Sequence, residues 1–208
     1  MKYRKFGNTG IEISQLGFGC MRLPEYKDEN DKWQIDEEKA IPMIVKAYEN
    51  GVNYFDTAPL YCNKNSEITV GKAVKPFRDK IYLSTKIDLG QVKAPEDYRR
   101  CLETSLKKMD TDYIDFYHFW GINKSCFDDC IMKHDLLNEA RKCKEEGLIR
   151  HISFSFHDDP SSIKHIIDKS EERGIPMESM LVQYNLLDRA NEEMMAYAAS
   201  KGLGIVAM

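Results

Sequence analysis

The chain has 208 residues, enough for one large domain or two small ones. Apolar residues make up 42% and charged residues 31%, a composition typical of globular proteins. The formal net charge of −4 gives no electrostatic reason to expect nucleic acid or an anionic membrane as a partner. No segment approaches the roughly 18 to 20 continuous apolar residues that a transmembrane helix needs.

The N-terminus and the cysteines indicate the compartment. The first ten residues, MKYRKFGNTG, are basic but lack the apolar stretch of a signal peptide, so we expect a cytoplasmic protein. The six cysteines show no CxxC spacing, and we expect them to be reduced and several of them buried. Cys126 and Cys130 are four residues apart, as in a helical metal pair. No second ligand pair follows at metal spacing, and we predict no metal site.

In chain order, the sequence begins with a predicted β-hairpin: strands at 3–6 and 11–14 flank the turn GNTG. One pattern then repeats, in which an apolar run leads to a polar loop and a segment of helical period. There are seven such runs: QLGFGCM, NYFDTA, IYLSTKI, YIDFYHFW, RHISFSF, MLVQYNL and GIVAM.

Helical periodicity is clear in five segments between the runs. In the first, Pro42 predicts either a late start or a kink, and Asn50-Gly51 predicts the end. In the second, Pro95 fits a first-turn position. The five segments are 36–51, 94–109, 136–147, 159–174 and 191–202.

Strands that alternate with helices predict a parallel sheet covered on both faces. This leaves an open doubly wound sheet or an eight-stranded (β/α) barrel. The doubly wound fold needs a glycine-rich turn directly after its first strand, and GFGCMR does not supply GxGxxG. The barrel fits better, because ionisable residues cluster at the carboxyl ends of the runs, where barrel active sites lie.

Four residues at these ends have the chemistry of an active site. Asp56 ends the second run, Tyr61 follows in its loop, Lys86 ends the third and His118 lies near the end of the fourth. Each has an ordinary structural role open to it: a cap, a packed ring, a solvated amine or a buried histidine. Three successive strand ends of a barrel converge on one mouth, and this grouping favours catalysis.

The motifs YFDTAPLY (followed by Glu67 and Gly71), LSTK and YIDFYHFWG resemble those of the aldo-keto reductase superfamily. The resemblance extends over essentially the whole chain, with the motifs in the family's order. It implies a (β/α)8 TIM-type barrel with an N-terminal hairpin, as one domain over 1–208. It also implies a catalytic tetrad at Asp56, Tyr61, Lys86 and His118.

The four residue types suit carbonyl reduction. Tyr61 would be the general acid, and a nearby Lys86 ammonium is expected to lower its pKa. Asp56 would hold Lys86 charged and in place, while His118 would donate to the substrate oxygen and orient it. Trp120 is a candidate wall of the substrate pocket.

The resemblance also implies a nicotinamide cofactor, NADP or NAD. Ser155 and Gln183 match residues that bind the carboxamide, although ordinary strand-end hydrogen bonding would also explain them. Met208 stands where an aromatic ring often stacks on the nicotinamide, and a thioether is a suitable substitute. Phe156 replaces a common asparagine, as in a branch often linked to a C-terminal iron–sulfur module.

The sequence ends at the seventh run, whereas the family's barrel has eight strands and a later segment that binds the adenosine end. We therefore expect a barrel truncated after the seventh strand, with weak cofactor binding and self-association through its open edges. The leading hypothesis is an NAD(P)H-dependent reductase of a small aldehyde or ketone. The alternative is a non-catalytic relative that serves as a regulatory or assembly partner.

Overall fold

The computed structural model describes all 208 residues. Its first element is the predicted hairpin, in which β1 (Tyr3–Lys5) pairs antiparallel with β2 (Glu12–Ser14). A second hairpin, which the sequence pattern did not predict, follows between the first two apolar runs. It is built from β4 (Glu25–Lys27) and β5 (Trp33–Ile35).

The seven apolar runs form one parallel sheet of seven strands, as predicted. Strands formed by consecutive runs are neighbours in the sheet, so the order of the strands in the sheet is their order in the sequence. They are β3 (Phe18–Gly19), β6 (Tyr54–Asp56), β7 (Tyr82–Ile87), β8 (Ile114–Ile122), β9 (Ile149–Phe156), β10 (Ser179–Val182) and β11 (Gly204–Ala207).

The sheet is curled, as the positions of its two edge strands show. Residues of β3 and of β11 line the same space of about 480 Å³, although the two strands do not pair. The fold is therefore an incomplete (β/α) barrel with seven strands and an opening between β3 and β11. The truncated barrel inferred from the sequence is confirmed.

The helices cover the outer face of the sheet. The five segments with helical period are all helical, and there are two additional helices: the short α4, and α2, which lies between β6 and β7 with most of its residues buried. The helices are α1 (Glu37–Glu49), α2 (Ser66–Val74), α3 (Asp97–Met109), α4 (Lys124–Cys126), α5 (Leu136–Glu145), α6 (Ser161–Glu172) and α7 (Glu192–Ser200).

The positions of Pro42 and Pro95 relative to their helices differ from those expected from the sequence. Helix α1 begins at Glu37 and contains Pro42, so a late start is wrong. Pro95 lies two residues before α3, where its carbonyl accepts a hydrogen bond from the Tyr98 amide, instead of within the first turn. The π-helical turn that follows α4, Phe127–Met132, carries Cys130.

The N-terminal hairpin closes the amino-terminal end of the barrel. Phe6 packs its ring edge-on against Phe116, at 5.2 Å between centroids. Its turn lies so close to the seventh strand that a Cβ on Gly7 would meet the Gly202 carbonyl oxygen at 2.4 Å. The hairpin therefore covers the amino-terminal end of the barrel, and Ile13 and Ser14 of β2 also line the cavity between β3 and β11.

Candidate active site

The centre of the candidate site is a buried ion pair between neighbouring strands. Asp56 ends β6 and Lys86 lies near the end of β7, and the Lys86 Nζ is 2.6 Å from the Asp56 Oδ2. Only 1% of the Lys86 side chain and 14% of the Asp56 side chain are exposed. Lys86 also donates to the Thr57 carbonyl oxygen, and the Ser84 hydroxyl donates to the other Asp56 oxygen. The pair is thus held by hydrogen bonds at both ends.

Tyr61 lies beside this pair, at the start of the turn that follows β6. The Lys86 Nζ is 4.8 Å from the centre of the Tyr61 ring, and the ring meets Trp120 edge-on at 5.7 Å between centroids. The structure therefore brings Asp56, Tyr61 and Lys86 together, with Trp120 as a wall beside them.

The pKa of Tyr61 is raised, not lowered as the sequence reasoning expected. Burial of the phenol disfavours the tyrosinate and is the larger effect. The Lys86 ammonium acts in the opposite direction, while the Asp56 carboxylate adds to the increase. Tyr61 is consequently protonated throughout the neutral pH range.

His118 completes the group on β8. It is the register partner of Lys86, so the two side chains lie on the same face of the sheet. The ring is fully buried, neither ring nitrogen has a hydrogen-bond partner, and burial lowers its pKa from 6.5 to about 4. The imidazole is neutral at pH 7.

The opening between β3 and β11 leads to Asp56 and Tyr61, whereas Lys86 and His118 are buried and do not line the cavity. Asp56 and Tyr61 line the 480 Å³ cavity, together with Met208 at the end of the chain. Most of the remaining lining is apolar, and a Cβ on Gly19 would meet no atom within 4 Å. The cavity offers an apolar surface with a few polar groups at its inner end, as small-molecule sites commonly do.

The three residues matched to cofactor binding lie on β9, after β10 and after β11. Ser155 is buried and its Oγ accepts a hydrogen bond from the Gly121 amide. Gln183 is partly exposed directly after β10, and Met208 is exposed beside the cavity. Phe156 points to the outer face, where it is fully buried in the main apolar core. Only Met208 of the matched residues lines the cavity with Tyr61.

Two further motif residues have structural roles. Glu67 is completely buried, where it accepts from the Thr85 hydroxyl and pairs with Lys108 at 3.1 Å. Gly71 lies where α2 touches the end of α3, because a Cβ there would meet the Met109 carbonyl oxygen at 2.4 Å. These two residues fix α2 against α3, and α2 follows directly on the Tyr61 loop.

Comparison with known proteins gives the family. A model of the aldo/keto reductase family matches residues 15–208. The chain is 33% identical to a probable aldo-keto reductase of Glycine max, over 97% of this chain and 57% of the relative. It is 30% identical to the uncharacterized oxidoreductase YqkF of Bacillus subtilis, over 100% of this chain and 64% of the relative. The chain therefore spans about three fifths of these relatives.

Solved structures of aldo-keto reductases have the same fold as this chain. A thermostable aldo-keto reductase, crystallised with the inhibitor epalrestat, superposes with a TM-score of 0.83 at 28% identity. That alignment covers 100% of this chain and 72% of the other. The holo form of an aldo-keto reductase from Bacillus halodurans gives a TM-score of 0.80 at 31% identity, covering 100% of this chain and 65% of the other.

Proposed function

Because this chain belongs to the aldo/keto reductase family, we propose that it provides the catalytic half of an oxidoreductase that reduces an aldehyde or ketone with NADPH or NADH. The observation that carries this proposal is the Lys86–Asp56 ion pair, almost closed to solvent beside the Tyr61 ring. A buried lysine is costly unless it is paired. Because the Lys86 ammonium lies next to the Tyr61 phenol, we infer that Tyr61 transfers a proton during the reaction.

The residues around the cavity fit a nicotinamide. The apolar lining suits the faces of the ring, and the open space beside Gly19 leaves room for it. Met208 lines the cavity and would contact the ring, while Ser155 and Gln183, the residues matched to the carboxamide, lie outside its lining. The Ser155 hydroxyl keeps its own hydrogen to donate while its oxygen accepts from the Gly121 amide. When bound, the reduced nicotinamide supplies a hydride.

In the proposed mechanism, Tyr61 donates its phenolic proton to the substrate oxygen. The raised pKa keeps the proton on Tyr61 until that moment, and Lys86 stabilises the phenolate that is left. Asp56 holds Lys86 in place through the ion pair. The neutral His118, beside Lys86 on β8, would donate an N–H to the same oxygen and so orient the carbonyl.

The test is direct. The 208-residue chain is titrated with NADPH and with NADH while nicotinamide fluorescence is followed, and turnover is then measured with small aldehydes and ketones. Binding with turnover supports the proposal. Since this span is expected to bind the cofactor weakly, turnover at high cofactor concentration is the deciding result. Binding without turnover favours the alternative of a non-catalytic relative.

A further inference from the structure

The hairpin of β4 and β5 is linked to the loop that carries Tyr61. The Asn63 side-chain amide donates to the Trp33 carbonyl oxygen at 3.2 Å. Two residues later, the Asn65 amide donates to the Gln34 side-chain oxygen at 3.3 Å. The hairpin thus contacts the segment after Tyr61 at two positions, Asn63 and Asn65.

The loop needs such support, because its backbone is strained. Cys62, Asn63 and Lys64 have φ angles of 47°, 52° and 71°, three consecutive left-handed residues without a glycine among them. Each costs about 1 to 2 kcal/mol relative to a right-handed residue, with asparagine the best tolerated. Such a turn persists only where its surroundings hold it.

Hydrogen bonds within the β4–β5 hairpin hold its turn in shape, so the hairpin can support the loop. The Asp28 carboxylate accepts hydrogen bonds from the Asn30 and Lys32 amides, at 2.9 and 3.0 Å, across the hairpin turn. It also accepts from the Gln34 side-chain amide at 3.0 Å. Gln34 therefore joins the hairpin turn to Asn65.

The side chain of Tyr61 has two main contacts. Its ring meets Trp120 edge-on, and the Lys86 ammonium lies near the ring. The position of the hydroxyl also depends on the backbone that carries it.

We propose that Asn63 is a positioning residue for Tyr61, acting through its hydrogen bond to the β4–β5 hairpin. The catalytic consequence rests on the function proposed above; the positioning itself does not. Asn63→Asp keeps the size of the side chain and its tolerance of left-handed backbone but has no amide to donate, so the loop and Tyr61 shift. Asn63→Ala removes the hydrogen bond and also disfavours the turn.

Position can be read without activity, because the chain has only two tryptophans, Trp33 and Trp120. In protein labelled with 5-fluorotryptophan, Trp33→Phe assigns the two fluorine resonances, and Tyr61→Ala gives the Trp120 shift expected when the phenol is gone. We expect Asn63→Asp and Asn63→Ala to move the Trp120 resonance toward that value. Asn30→Asp adds the same charge to the hairpin turn without a contact to the loop, and it should leave the resonance in place.

Activity gives the second readout. A shift of the acid by about 1 Å can cost about 10²-fold in rate, so we expect kcat to fall at least about 10-fold in Asn63→Asp, with KM almost unchanged. An unmoved Trp120 resonance in both variants would overturn the positioning role. If the parent chain reduces no carbonyl, the proposed function fails, yet the fluorine spectra still decide the positioning.

Discussion

Lys86 and Asp56 form an ion pair of 2.6 Å in which the lysine is almost completely closed to solvent. Removing one partner of such a pair leaves the other charge buried and unpaired. We therefore expect Lys86→Met to lower the free energy of unfolding by about 3 to 5 kcal/mol, measured by urea denaturation. The double variant with Asp56→Asn should recover much of the loss. Lys46→Met is the control: its pair with Glu49 is 3.4 Å long with 73% and 56% exposure, and it should cost less than about 1 kcal/mol.

Tyr61→Phe removes one hydroxyl and keeps the ring that packs on Trp120. If the hydroxyl protonates the substrate oxygen, kcat should fall by about 10²- to 10⁴-fold while cofactor affinity stays within about twofold. Steady-state kinetics and a fluorescence titration measure the two quantities separately. Equal losses of turnover and of cofactor binding would show that Tyr61 has a structural role instead.

His118 makes stability depend on pH. Its pKa is about 4 in the folded chain and 6.5 ordinarily, so the unfolded chain binds the extra proton between these values. The contribution to stability is complete above pH 6.5 and is lost as the pH falls toward 4, by up to about 3 kcal/mol. Urea unfolding across this range should show the loss in the parent chain and a smaller one in His118→Asn. A histidine pKa near 6.5 by NMR would contradict the closed environment.

Gly71 allows α2 to touch the last turn of α3. A Cβ there would lie 2.4 Å from a backbone oxygen, which cannot move aside as a flexible side chain would. We expect Gly71→Ala to destabilise the fold by about 1 to 3 kcal/mol or more through overpacking. Gly19→Ala is the matched control, because its Cβ meets no atom within 4 Å. Thermal unfolding of the two variants side by side tests the difference.

The opening between β3 and β11 leaves two strand edges unpaired beside an apolar cavity. We propose that residues 1–208 self-associate there, since such edges readily pair with another chain. Leu16 lines the opening and is 63% exposed, so Leu16→Lys should shift the chain toward the monomer in chromatography with light scattering. Leu187 is 99% exposed but does not line the cavity, and Leu187→Lys should change nothing. A parent chain that is monomeric at high concentration would refute the proposal.

The parallel sheet and the clustering of three site residues could be predicted because both follow from strand ends. Apolar runs of six or more residues identify β7, β8 and β9, and consecutive parallel strands bring their carboxyl ends to one edge. The places of Lys86 and His118 follow from these runs, and Asp56 was placed by the shorter apolar run that contains β6. Helix α2 was missed as an element because it is buried on nearly every side and so has little amphipathic period.

The second hairpin could not be predicted, since β4 and β5 are three residues each, mostly exposed and without alternation. The left-handed turn after Tyr61 was missed for a different reason: its sequence, Cys-Asn-Lys, contains no glycine. The direction of the Tyr61 pKa shift also lay beyond the sequence. It depends on how far burial outweighs the lysine charge, which only the packed structure determines.

The contact between the Gly7 turn and the chain at Gly202 joins residues from opposite ends of the sequence. During synthesis the hairpin can pack on β6 and β8 before this contact exists, since Phe6 lies against Tyr54 and Phe116. At ordinary elongation rates of about 5 to 20 residues per second, Gly202 follows Gly7 by roughly 10 to 40 s. The docking of the hairpin turn on the seventh strand is therefore a late step when the chain folds during its synthesis.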